Sequence, residues 1–246
     1  MGITIGMLYP GFGAEDDYPL MEELLGEGVS LPLVHTSVGV DAHEVEALLD
    51  LGKSERLLEG AEALRASQPD AVMWACTSGS FVFGWDGARR QAAEVQDALE
   101  VPVSSTSLAF VDAAKALGLE RVAVAATYPE DVSRHFVELL KRGGIEVTQL
   151  VSHDIPTATL AGELDREGVL ELARSNDSPE AQAILIPDTA LHSARWINDL
   201  EAALGKPVLT ANQVTVWQGL RIAGALRPCE ALGQLFKQTA AAPVAS

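Results

Sequence analysis

Cysteine is scarce in this chain, at 2 of 246 residues. Cys76 and Cys229 are too few for a disulfide framework or a four-thiolate metal site, although one long-range disulfide stays open. Basic residues are also few, 17 against 35 acidic, for a formal net charge of −18. Such a chain repels phosphate backbones and anionic lipid, so neither nucleic acid nor a membrane is expected as a partner. No apolar run approaches the ~18 residues that a transmembrane helix needs. The opening MGITIGMLYP reads as a strand with no basic leader, so the expected location is the cytoplasm, where thiols stay reduced. His35, His43, His135 and His153 are scattered without a pair at metal-ligand spacing, and no metal is expected. Gly11-Phe12-Gly13 lacks the third glycine of a dinucleotide fingerprint, and Glu15-Asp16-Asp17 would repel a pyrophosphate. A phosphate-binding lysine motif is missing too, so no nucleotide cofactor is expected.

What is present is ordinary for a folded protein: 48% apolar and 21% charged residues. The length suits one α/β domain or two halves of about 120 residues each. Short apolar runs read as buried strands at Ile3–Tyr9, Leu31–His35, Ala71–Cys76, Val101–Ser104, Val122–Ala126, Glu146–Leu150, Ala183–Ile186 and Val208–Thr210. Amphipathic stretches between them predict helices at Glu44–Leu51, Leu57–Leu64, Ala88–Leu99, Ser107–Leu117, Pro129–Lys141, Arg166–Ala173, Ser193–Leu204, Thr215–Ala225 and Glu230–Lys237. Apolar strands alternating with helices indicate parallel sheet covered on both faces, hence an α/β fold. Gly118, Gly143–Gly144 and Gly205 stand where helices should stop. The tail Ala240–Ser246 is expected to fray.

A weak internal repeat runs through this pattern. GMLYP, ending at Pro10, resembles VAATYP, ending at Pro129. AVMWACTSGS resembles AILIPDTALHS, which sets Cys76-Thr77 against Asp188-Thr189. VPVSSTSLAFVDAAKALG resembles KPVLTANQVTVWQGLRIAG. A duplicated half-domain accounts for all three, although any two α/β units share some of this texture. The expected halves are residues 1–117 and 118–246, with the C-terminal helix free to pack back on the first. Open parallel sheets bind ligands at the carboxyl ends of their strands, so paired strand ends would face one cleft.

Cys76 ends a strand and enters Thr77-Ser78-Gly79-Ser80. A turn rich in N–H groups and hydroxyls holds a carboxylate and lowers a thiol pKa. The alternative is a small buried hydrophobe, the commonest use of cysteine. Asp188 closes the matching strand, either as a functional carboxylate or as a cap or Asx turn. His192 is close enough in sequence to touch Asp188 if the following helix begins early. Tyr9 and Tyr128 match under the repeat, and a tyrosine hydroxyl at a strand end can donate to a substrate oxygen; core packing is the other use. Cys229, beside Pro228 in a helical stretch, reads as packing. The stretches Gly11–Tyr18 and Phe81–Trp85 are expected to shape the substrate's side-chain pocket.

Three segments carry a resemblance over most of the chain. ACTSGSF at Ala75–Phe81, ATYPEDV at Ala126–Val132 and LGKPVLTANQVTVW at Leu204–Trp217 are similar to motifs of the Asp/Glu racemase superfamily. The branch resembled is that of maleate cis-trans isomerases and arylmalonate decarboxylases. The resemblance implies two pseudo-symmetric α/β halves and cofactor-free chemistry on a small carboxylate between them; it leaves room for a homo-oligomer. It implies Cys76 as nucleophile or base, with Thr77, Ser78 and Tyr128 holding a carboxylate or stabilising an enolate-like oxygen. Gly79, Tyr9 and Thr189 complete the expected substrate-binding set. The family pair of cysteines is broken here, because Asp188 stands where the second is expected. A two-thiol racemisation is therefore excluded. An isomerase with Asp188 as acid or base, a decarboxylase, and a non-catalytic carboxylate-binding protein are the readings left.

Overall fold

The computed structural model describes residues 2–11 and 13–237, so the tail from 240 onward and Phe12 lie outside the described residues. In chain order the elements are β1 (Ile3–Tyr9), α1 (Asp17–Leu25), β2 (Val29–Ser30), β3 (Leu33–His35), α2 (Val45–Leu51), α3 (Ser54–Leu64), β4 (Ala71–Trp74), α4 (Ser78–Phe81), α5 (Gly84–Leu99), β5 (Val103–Ser105) and α6 (Thr106–Ala116). They continue as β6 (Arg121–Ala126), α7 (Glu130–Arg142), β7 (Glu146–Ser152), α8 (Ala158–Gly162), α9 (Arg166–Arg174), β8 (Ala183–Ile186), α10 (Ile197–Leu204), β9 (Val208–Thr210) and α11 (Ala211–Ile222).

All strand pairings are parallel, in two sheets. One runs β2-β1-β4-β5, with β3 also on β1; the other runs β7-β6-β8-β9. The orders correspond, so this is an α/β fold of two like sheets flanked by helices. The central strands are apolar on both faces because helices cover both: Ala71–Trp74 and Ala183–Ile186 are buried throughout. One apolar cluster spans the two halves, and a smaller one lies on the outer side of each. Helix α11 follows the second sheet in sequence but packs on the first. Gly219 leaves no room for a side chain against Ile5 and Met73. The Thr215 and Thr106 hydroxyls meet at 2.6 Å, tying α11 to α6.

Several local expectations are corrected. Helix α1 is absent from the sequence reading, which assigns no element between Tyr9 and Leu31. Pro19 sits in the first turn of the helix, where its missing N–H costs little. Tyr18, Met21 and Leu25 form the buried face. The strand expected at Leu31–His35 begins only at Leu33, after Pro32, which has no N–H for a ladder. Helix α11 begins at Ala211 rather than Thr215, because Thr210 and Gln213 form a capping box. The helix expected at Ser193 begins at Ile197, after a 3-10 turn at Ala194–Trp196. The stretch at Glu230–Lys237 is two short 3-10 turns interrupted by Gly233. Cys229 is extended rather than helical, and its thiol lies 3.5 Å from the Leu24 carbonyl. Both thiols are free, so the long-range disulfide left open by the sequence is not formed. Among the described residues no helix is long and apolar enough to cross a membrane.

Candidate active site

A cavity of about 270 Å³ lies at the carboxyl ends of the strands, with walls from both halves. Cys76 and Asp188 both line it. Each stands two residues beyond its four-residue strand, β4 or β8, so the two sheets bring a thiol and a carboxylate to one space. Tyr9, Ser78 and Thr189 also line it, whereas Thr77, Gly79 and Tyr128 lie behind its wall.

Cys76 is 3% exposed. The Gly79 N–H donates to its sulfur at 3.3 Å, and Ser78 Oγ lies 3.9 Å away. Gly79 is held there by Gln91, whose side-chain amide donates to the Gly79 carbonyl at 2.9 Å and to the Gly52 carbonyl at 2.7 Å. A side chain at position 79 would press on Cys76 Sγ and Trp74. The expectation of a lowered thiol pKa is wrong for this site. Burial pushes the thiol from 9.0 up to about 12, and the Asp188 charge adds to the rise. The Gly79 and Ser78 hydrogen bonds offset only part of it. Nor do all hydroxyls of the turn serve the cavity. Ser80 Oγ donates to Ser105 Oγ at 2.9 Å and accepts from Ser107 Oγ at 2.7 Å, in a buried hydroxyl cluster.

Asp188 has two donors. Thr127 Oγ1 donates to Oδ2 at 2.5 Å, and the Ala190 N–H donates to Oδ1 at 2.9 Å as an Asx turn. His192 does not reach Asp188; its Nδ1 pairs with Asp16 Oδ1 at 2.7 Å. The loop after Asp188 is fixed from the other half. Asp17 Oδ2 accepts from the Ser193 N–H at 3.0 Å, the Ala194 N–H at 3.2 Å and Asn212 Nδ2 at 3.0 Å. Asn212 also donates to the Thr189 carbonyl at 3.2 Å. Burial raises the Asp17 pKa despite these donors. Asp16, Asp17 and His192 offer ligand atoms within 4.8 Å of one another, yet none of them lines the cavity.

Both tyrosine hydroxyls are engaged by backbone, and the expected equivalence of the two residues is corrected. Tyr9 donates its hydroxyl to the Thr189 carbonyl at 3.0 Å and accepts from the Ala14 N–H at 3.1 Å. Tyr128 donates to the Pro187 carbonyl at 2.6 Å. Both hydroxyl protons are thus committed to backbone, bracing the strand end that carries Asp188. Burial raises both tyrosine pKa values well above the ordinary one. Pairing of Ile5 with Ala71 and of Val122 with Ala183 makes Tyr9 equivalent to Ala126 and Tyr128 to Gly11. The Tyr-Pro repeat is therefore two residues out of structural register.

Phe81–Trp85 is absent from the lining. The outer wall is instead the loop carrying Val38, Val40, Asp41, Ala42 and His43, with Ala158 and Thr159. Asp41 ties this loop to the other half, accepting from the N–H groups of Ala158 at 3.0 Å and Thr159 at 3.2 Å and from the Thr159 hydroxyl at 2.6 Å. These bonds hold its carboxyl below the usual value against the opposing effect of burial. His43 donates Nδ1–H to the Ile155 carbonyl at 2.7 Å, and its ring packs edge-on against Tyr128. No periodic pattern marks residues 36–44, and partners more than 100 positions away leave no trace in sequence.

A family model described as arylmalonate decarboxylase matches residues 46–236. The maleate isomerase of Geobacillus stearothermophilus is 29% identical over 135 residues, a match covering 54% of each chain, so this chain matches about half the length of that relative. The arylmalonate decarboxylase of Bordetella bronchiseptica is 26% identical over 246 residues, covering 96% of this chain and 97% of that one. In solved structures, the fold matches a Nocardia farcinica maleate cis-trans isomerase bearing a covalently bound succinylcysteine intermediate. That match has a TM-score of 0.85 at 22% identity and covers 98% of this chain and 100% of that one.

Proposed function

This chain belongs to the arylmalonate decarboxylase family, in the branch shared with maleate isomerases, and on that premise we propose that it is a cofactor-independent isomerase of a small carboxylate. Cys76 is the nucleophile or base, and Asp188 is its acid–base partner in place of a second cysteine. The observation that carries this reading is the opposition of the two groups at equivalent strand ends on one cavity. Ser78 and Thr189 share the cavity wall with them.

The thiol's high pKa sets the order of events. With the thiol neutral in the empty site, sulfur attack on an alkene carbon requires the S–H proton to leave as the S–C bond forms. Asp188 is the group to receive it and to deliver it to the neighbouring carbon, so that S and H add across the double bond. Rotation about the resulting single bond and loss of the same S and H give the other isomer, with no net redox change. The succinylcysteine of the Nocardia relative is an adduct of this kind. The Gly79 N–H stabilises charge on sulfur as it develops and departs.

The full-length likeness to an arylmalonate decarboxylase favours a second reading, in which Cys76 protonates an enediolate after carbon dioxide leaves. NMR of small unsaturated and α-substituted carboxylates in deuterated water, with phenylmalonate and maleate among them, separates the two. Cis–trans conversion lost by about 10³-fold or more in Cys76→Ser is expected. Carbon dioxide release from phenylmalonate instead makes the protein a lyase. Silence throughout, with Cys76→Ser binding the same ligands equally, makes it a binding protein.

A further inference from the structure

Two features of the cavity disfavour a substrate with two carboxylates. Among the described residues no lysine or arginine lines it, and Asp188 forms part of its second-half wall. Asp188 accepts one hydrogen bond at each oxygen. A carboxylate has about four acceptor sites, so roughly two are left over. Asp41 differs, since three bonds engage its two oxygens in tying the outer loop to Ala158 and Thr159. Asp188 is therefore the carboxylate with capacity to recognise a bound molecule.

We infer that the substrate is a small carboxylate whose other end carries a hydrogen-bond donor for Asp188, an ammonium or a hydroxyl, in place of a second carboxylate. This rests on the proposed function, because it takes Cys76 and Asp188 as flanking the reacting molecule. A second carboxylate against Asp188 would set like charges together in a largely apolar wall, where water screens them poorly. A donor reverses the sign of that contact. The substrate's own carboxylate then lies toward Ser78 and Cys76, away from Asp188. An ammonium would also offset the Asp188 charge, one contribution to the raised Cys76 pKa. The cavity, at about 270 Å³, is at the small end for ligand pockets, which suits such a molecule.

Titration calorimetry of the full chain with γ-aminobutyrate, γ-hydroxybutyrate, butyrate and succinate tests this on one carbon skeleton. At least one donor-bearing probe should bind about tenfold or more tightly than both succinate and butyrate. Asp188→Asn should shrink that margin to about threefold or less. The amine and hydroxyl arms separate a charge requirement from a hydrogen-bond requirement. Succinate or butyrate binding as tightly as the better of the two donor-bearing probes, or a ranking that Asp188→Asn leaves unchanged, overturns the inference and leaves the proposed function standing. If no probe binds or slows alkylation of Cys76, the carboxylate cleft itself fails and this inference with it. The wild-type ranking needs no variant, so it decides the matter even where Asp188→Asn does not fold.

Discussion

Cys76 and Asp188 occupy matching places, two residues past β4 and β8, yet the two strand ends are built differently around them. Register makes Thr127 the counterpart of Pro10. Thr127 gives Asp188 a hydroxyl donor, whereas Pro10 has neither hydroxyl nor N–H to give Cys76. The chain leaves Cys76 directly into α4, so a helical N–H meets the sulfur. It leaves Asp188 through a loop fixed by Asn212 on α11 and by Asp17, more than 170 residues away in sequence. A neutral thiol tolerates burial with little polar company, but a carboxylate does not. The strand end that carries the carboxylate thus has a threonine donor with no counterpart at the strand end that carries the thiol.

The strongest way to break this comparison is to put the carboxylate on the wrong side. Cys76→Asp places it beside Pro10 rather than a threonine, with only the Gly79 N–H and the Ser78 hydroxyl near, and should cost about 3–5 kcal/mol in urea unfolding. A variant as stable as the parent would mean that the donors of the α4 turn satisfy a carboxylate without a threonine. Asp17→Ala should come next, at about 3 kcal/mol, because two buried N–H groups lose their acceptor. Its effect should reach turnover as well, since the loop after Asp188 loses its anchor. Thr127→Val, nearly isosteric, removes one bond to a buried carboxylate and should cost about 1.5–3 kcal/mol. Thermal or urea unfolding that does not shift would show that the Ala190 N–H suffices.

The smallest effect sharpens the thiol side through pH. With the Cys76 pKa near 12, iodoacetamide labelling of the empty protein should climb about tenfold per pH unit from pH 7 to 10 without a plateau. A plateau near pH 8 would mean that the site stabilises the thiolate. The same rise has a definite sign for stability. The folded state holds the thiol proton more tightly than the unfolded chain, whose thiol titrates near 9.0. Its contribution is intact below pH 9 and is lost as pH climbs toward 12.

Much of the architecture was legible from pattern. β1, β8 and β9 have the bounds expected from their apolar runs, because buried parallel strands must be continuously apolar. Helix α1 was not legible, since three apolar positions among acidic residues and Pro19 look like a loop until something packs on them. Of the site residues expected, Cys76, Ser78, Asp188, Tyr9 and Thr189 line the cavity. The outer wall at residues 38–43 was invisible because it is fixed by Asp41 and His43 reaching residues 155–159.

The sequence by itself determined the α/β alternation, the likeness of the two halves and the placing of Cys76 and Asp188 at matching points of the repeat. These follow from residue type and period, which are local properties of a chain. Only the tertiary structure decided that the Cys76 thiol is held neutral, that both tyrosine hydroxyl protons go to backbone carbonyls, and that His192 turns to Asp16. Burial and hydrogen-bond partnership are properties of the space around a side chain. That space is assembled from segments up to about two hundred residues apart, as the link from Asp17 to Asn212 shows.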